Sequence, residues 1–205
     1  FYEDTGTTPK FFWDAADERL GLGTTAPDGT LHVHTASAGT VTASSQADDL
    51  VVESNTEAGI TILSPDDQSA RIRFSSPSTN TDVGGASILY RQNINTLKIG
   101  TAVAGGVLRL TSGADVERMR IDASGSVLLG TTTEGSVDAD NLTISGDNRV
   151  GMTIRSANSG SSRIYFSDGT SGAAEYVGYI TYDHSDNHMR FGSAAAEAMR
   201  IDASG

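Results

Sequence analysis

The sequence predicts an all-β fold assembled from tandem strand-rich modules, and three observations carry that prediction. No stretch keeps a 3.6-residue apolar period for three turns, whereas short alternating or β-branched stretches recur between clusters of Gly, Ser, Asn and Asp. Leu, Ile, Val and Phe number 12, 12, 12 and 6, about 20% of the 205 residues, which is thin material for a single core. The chain also repeats itself, with ERMRIDASG at 117–125 and EAMRIDASG at 197–205.

In chain order the predicted strands are LHVH (31–34), DLVVE (49–53), GITIL (59–63), ARIRF (70–74), SILYR (87–91), TLKIG (96–100) and VLRLT (107–111). They continue with MRIDA (119–123), SVLLG (126–130), NLTIS (141–145), GMTIR (151–155), SRIYF (162–166), YVGYITY (176–182), HMRFG (188–192) and MRIDA again (199–203). Each has four to seven residues with turn chemistry on either side. Residues 48–64, 69–75 and 95–101 match 140–156, 161–167 and 187–193 at a displacement of 92. LGTT opens both copies, at Leu22 and Leu129, displaced by 107, while the closing MRIDASG is displaced by 80. The first copy therefore carries insertions of 15 and 12 residues, around LHVHTASAGTVTASS and at GGVLRLTSGADV. A period of 80 to 107 exceeds the ~20 to 50 residues of solenoid repeats, so the copies are read as modules: a connecting segment at 1–19, a first β module at 20–125 and a second at 126–205.

Modules with few large side chains leave strand edges open and apolar stripes thin, so the chain is expected to associate with copies of itself. A net charge of -12 argues against sequence-independent nucleic-acid binding and against anionic membranes. No apolar run approaches the ~20 residues of a spanning helix, and the first ten residues do not resemble a signal peptide. The lack of an initiating Met is expected of a fragment or a processed chain. With no Cys there is no disulfide, thiolate ligand or Cys nucleophile.

The segments TTPKFFWDAADERLGLGTTAPDGTLHV (7–33), ERMRIDASGSVLLGTT (117–132) and EAMRIDASG resemble the modular shaft sequences of bacteriophage tail fibres and tailspikes. In that family a strand ending in an M-R-I-D-x-S-G turn leads into a V-G-I-G-T-T-x-P strand and turn. Here Leu20, Leu22, Val127 and Leu129 take the apolar strand positions, and Gly125, Gly130 and Pro27 the turn positions; the second copy has GTTTEGSVDADNL where Pro would stand. The resemblance implies an elongated homotrimeric β-fibre on an extracellular virion, a shaft that positions a receptor-binding tip for host attachment. Its implied partners are two further copies, other tail or baseplate proteins, and a host glycan or protein met through regions outside this sequence. The rival readings are a glycan-binding or depolymerising tailspike and a capsid or neck fibre. Many relatives end in an intramolecular chaperone peptidase, and no such domain lies within these residues. The turn at the second MRIDASG is expected to lead into another apolar strand beyond Gly205.

No catalytic residue, cofactor or metal is expected, and each candidate has a plainer reading. Gly21-Leu22-Gly23-Thr24-Thr25-Ala26 fits a loose dinucleotide fingerprint, but Pro27, Asp28 and Gly29 make a turn where a helix is needed. His32 and His34 share one strand face and could bring six imidazoles to an axial metal in a trimer. Leu31 and Val33 alternate with them and are expected to take the axis, leaving the histidines in solvent. Asp183, His184, Asp186 and His188 suit a divalent metal, yet the first copy has Arg91 to Thr96 there, so a polar hairpin tip is expected. Asp48, Asp49, Asp66, Asp67, Asp138 and Asp140 read as solvated surface; counting from Asp138, Thr143 and Arg149 stand where a calcium loop needs Gly and Glu. Tyr176, Tyr179 and Tyr182 could stack on sugars, with Tyr165 and Phe166 beside them equally suited to packing. The residues expected to matter are packing positions: Ile60, Ile62, Ile72, Phe74, Ile154, Ile164, Phe166, Met199 and Ile201.

Overall fold

The computed structural model describes Gly6, residues 9–75 and residues 85–205. Within the connecting segment, residues 1–5, 7 and 8 lie outside the described residues. The chain is all-β and divides into two units, Phe1–Ala102 and Val103–Gly205.

In the first unit, β1 (Phe11–Asp14) and β2 (Arg19–Leu22) form an antiparallel hairpin, and β3 (Leu31–His34) and β4 (Leu50–Glu53) stack onto β2 in parallel. A three-stranded antiparallel meander follows: β5 (Ser69–Phe74), β6 (Ala86–Arg91) and β7 (Thr96–Thr101). In the second unit β8 (Leu108–Ser112), β9 (Val116–Ile121) and β10 (Val127–Leu129) are antiparallel, and β11 (Leu142–Ile144) joins β10 in parallel. The last sheet is a meander of β12 (Ser161–Phe166), β13 (Gly178–Asp183), β14 (His188–Ser193) and β15 (Ala196–Ile201).

The repeat is physical. Ser69 pairs with Arg91 and Ile88 with Ile99; 92 residues on, Ser161 pairs with Asp183 and Ile180 with Phe191. Both insertions of the first copy add one strand to a ladder. In the second copy β14 pairs with β13 on one edge and β15 on the other. In the first, β7 pairs with β6 while the inserted β8 pairs with β9, in the register β14 uses for β15 and with the bulge at the same place. Likewise β11 lies directly on β10, whereas β3 is interposed between β2 and β4. Because β8 carries ERMRI with it, the two units part at Ala102, before the sequence repeat does.

The pairing places apolar residues in rows. Trp13, Leu20, Leu31 and Leu50 lie side by side, as do Phe11, Leu22, Val33 and Val52. Leu108, Ile121, Val127 and Leu142 repeat the pattern in the second unit. Among the described residues Leu128 and His32 are the two large side chains fully covered. They fill one place of the repeat from different strands: Gly21 lies beside His32, and its counterpart Leu128 lies beside Thr143.

Two expectations need correction. GITIL and GMTIR are not strands of any ladder within the chain, because no neighbouring strand of the same chain lies along them. His32 does not face solvent: it is 1% exposed, because β3 is interior to its sheet and the ring is enclosed by the Asp28 turn, Glu53 and His34, while Leu31 and Val33 are half-buried on the opposite face. Within the connecting segment, β1 is part of the first unit's sheet, paired along its length with β2.

Candidate functional site

The ligand-type side chains gather in four places, each a product of local backbone. On β3 and β4, His32 and His34 point to the face of Glu53, whose Oε2 lies 3.0 Å from His32 Nε2 and 3.7 Å from His34 Nε2. The first contact is poorly aligned for a hydrogen bond. The Ala38 N–H donates to Glu53 at 2.6 Å and, with the nearby His34, holds this carboxyl below its usual range despite opposing burial. Asp28 completes a group whose ligand atoms lie within 4.8 Å of one another. The chemistry of the ring works against coordination. The Asp28 N–H donates to His32 Nδ1 at 3.2 Å, so a neutral imidazole carries its proton on Nε2, where a metal would need a lone pair. His32 is thus a hydrogen-bonded filler of the space that Leu128 fills in the second unit.

At the β13–β14 tip, Asp183 accepts hydrogen bonds from the Ser185 hydroxyl at 2.6 Å, its N–H at 3.1 Å and the Ser161 hydroxyl at 3.1 Å, which together hold its carboxyl at about 2. Arg190 stands 3.6 Å away. Asp186 pairs with His188 Nδ1, and His184 Nε2 lies 3.2 Å from the Ser162 hydroxyl. Asp183, Asp186 and His188 are close enough to share an ion. Asp183, however, has its oxygens committed to serines and its charge to an arginine. Asn187 closes the tip in the left-handed region, as Asn95 does in the first copy, and accepts from the Tyr182 hydroxyl as Asn95 accepts from Tyr90. The counterpart positions Asp183 and Arg91, and His188 and Thr96, occupy the same register.

The MRIDASG turn occurs three times in the structure. Asp122 and Asp202 accept the N–H two residues on, from Ser124 at 2.9 Å and Ser204 at 3.0 Å, and Asp14 accepts that of Ala16 at 3.0 Å. The third is hard to see in the letters, since Trp13-Asp14-Ala15-Ala16 keeps the Asp-Ala pair but not the Ser-Gly that follows it. Burial opposes it, yet the Ser126, Ser124 and Gly125 N–H groups keep Asp122 below its usual range. Its hydrogen bond to Glu134 raises that carboxyl.

The fourth place is the polar face of the last sheet. Tyr165, Tyr176 and Tyr179 gather there with Arg163 and Arg190 over the buried Thr181, while Tyr182 belongs to the opposite face and the tip. Gly21 to Ala26 make a strand end and turn with no helix after them. No described helix is long and apolar enough to cross a membrane. No family model matches the chain, and no curated protein matches it.

Proposed function

We propose that the chain is a structural shaft segment of a trimeric fibre of the bacteriophage tail-fibre kind, holding a receptor-binding tip away from a virion by geometry rather than by catalysis. The observation that carries this reading is surface. The chain exposes 14929 Å², where a compact monomer of 21.3 kDa exposes about 9,100 Å² and two separate globules of half that mass about 11,000 Å². The excess, about 4,000 Å², is the size of an obligate interface.

Exposed apolar side chains lie in rows. Ile72, Ile88 and Ile99 lie side by side at 50%, 40% and 54% exposure, and Ile164, Ile180, Phe191 and Met199 form the matching row. Every packing position named from the sequence is exposed within the chain, Ile60, Ile62 and Ile154 included. Faces of this kind need covering, and strands without ladders at 59–63 and 151–155 need partners. Two further copies supply both. The trimer itself, and the tail rather than the neck or capsid, rest on the MRIDASG and LGTT resemblance. Light scattering on the purified chain is expected to give three chains of 21.3 kDa, about 64 kDa. A cooperatively folded monomer would overturn the reading.

A further inference from the structure

We propose that the outer face of the last sheet binds an acidic pyranose, a sugar ring bearing a carboxylate, as found in acidic polysaccharides. This rests on the shaft reading in one respect, that the apolar face turns towards the other copies and leaves the opposite face outward.

Two rows build the site. Arg163, Thr181, Arg190 and Arg200 lie side by side across β12 to β15, and next to them run Tyr165, Tyr179, Gly192 and Glu197. Gly192 is there for the ring of Tyr179: a Cβ at that position would fall inside the ring, so the aromatic covers the glycine backbone as a fixed platform. Tyr176, carried in by the short turn Gly172–Tyr176, meets Tyr165 at 5.9 Å between centroids and a tilt of 42°. The three rings and the two arginines border an open groove of about 200 Å³. That is below the ~300–1,000 Å³ of cofactor-sized pockets and suits a single ring. Aromatic faces offer stacking to the C–H surface of a sugar, with hydroxyls at their edges for its polar groups.

Charge chooses among sugars. The groove lining holds no carboxylate. Glu197 is engaged by Arg200 through two bonds of 3.0 and 2.8 Å, and Asp183 is held by serines and paired with Arg190 at 3.6 Å. Arg163, 6.0 Å above the Tyr165 ring, is left to meet an anion, while Arg190, 3.6 Å from Asp183 and with its Nε buried, adds positive charge beneath the groove. A planar guanidinium matches a carboxylate with two parallel hydrogen bonds. The first meander is the internal control. In its equivalent rows stand Arg71, Leu89 and Lys98, then Arg73, Ser87 and Gly100, with cations but no ring, and a Cβ on Gly100 would meet nothing within 4 Å.

The test uses the full chain and a hexasaccharide alternating glucuronic acid with N-acetylglucosamine, the same hexasaccharide with its carboxyls reduced to alcohols, and inorganic sulfate. Calorimetry is expected to give binding to the acidic form and at least tenfold weaker binding to the reduced one, with saturation transfer from tyrosine ring protons to the sugar. Tyr179→Ala and Arg163→Gln should each weaken binding at least tenfold at unchanged oligomer mass, and Arg71→Gln should leave it alone. Absence of binding at millimolar sugar, equal binding of the reduced form, sulfate binding as well as the hexasaccharide, or Tyr179→Ala binding normally would each overturn the site. Light scattering on the same samples separates the two ideas: a trimer that ignores the sugar defeats the site alone, and a monomer that binds it defeats the shaft alone.

Discussion

The two antiparallel meanders are one sheet written twice, and their two faces have fared differently. Residue by residue at a displacement of 92, β5–β6–β7 and β12–β13–β14 share register, the tyrosine-to-asparagine tip bond and the left-handed Asn. One face stays apolar in both: Ile72 stands for Ile164, Phe74 for Phe166, Ile88 for Ile180 and Ile99 for Phe191. On the other face Arg73 and Ser87 become Tyr165 and Tyr179. On the shaft proposal, features common to both copies serve assembly. Features found in one copy are free to serve something local.

The largest effects should therefore come from the shared face, and from both copies alike. Ile164→Asp and Ile72→Asp each place one carboxylate per chain against the apolar rows of its neighbours, at a cost of several kcal/mol per buried, unpaired charge. Both variants should fail to reach the mass of the assembly in light scattering. Normal assembly of either would mean that its face looks outward. A smaller loss should follow Leu128→Ala, which empties the place His32 fills in the first unit. Truncating a fully buried Leu costs about 2–5 kcal/mol, so the denaturation midpoint should fall while the folded fraction keeps the mass of the unsubstituted chain in light scattering. Exchanging the pair, with Leu128→Gly and Thr143→His together, should recover part of that loss if the two places are equivalent.

Much of this was legible in the letters, and what was not has a physical reason. Alternation around Ile72, Ile88, Ile164 and Ile180 marks strands because every second residue meets the same environment. The shared offset of 92 fixes which strands correspond. Pairing partners that are not nearest in chain order were hidden. Nothing in LHVH says that it lies between RLGL and LVVE, both parallel to it, and so nothing says that His32 is interior. The groups that enclose its ring, Asp28 and Glu53, belong to a turn and to a different strand. Residues 59–63 have the composition of a strand without a partner in the chain, and composition does not distinguish the two. Of the last sheet's outer face, the tyrosines could be seen in EYVGYITY, but Arg163, Arg190 and Gly192 come from elsewhere in the sequence and meet them only through the register.

The tips separate the copies by acid. Asp183 titrates at about 2 rather than at its ordinary value, because the Ser185 hydroxyl and N–H hold the ionised form. A carboxyl depressed in the folded state contributes stability that is present above the ordinary aspartate range near pH 4 and is lost as pH falls towards 2. The first copy has Arg91, not a carboxyl, at this position. Carbon-detected titration of the Asp183 carboxyl should show a midpoint near 2, moved up towards the usual value by Ser185→Ala. A wild-type midpoint near 4 would mean that the serine contacts do not persist in solution. Arg91→Gln in the first tip should leave acid stability between pH 2 and 4 unchanged.

The smallest expected difference lies in the hairpins that lead into β9 and β15. The β14–β15 loop has two residues, Ala194 and Ala195, between the paired Ser193 and Ala196, and both are left-handed, with φ of 53° and 59°. That is the backbone of a type I′ turn, which matches the twist of the strands but asks for Asn-Gly, since an L-alanine there costs roughly 1–2 kcal/mol. The β8–β9 loop has three residues, Gly113, Ala114 and Asp115, all left-handed, so one of its three places is already a glycine. Replacing Ala194 with Asn and Ala195 with Gly should therefore raise stability, by about 1 kcal/mol once the extra freedom of glycine in the unfolded chain is set against the relieved strain. Ala114→Gly in the other hairpin should gain less, because only one of its two non-glycine strains is removed. Thermal melts of the two variants decide it: a larger gain from Ala114→Gly would show that the alanine turn is held by its flanking strands rather than strained by them.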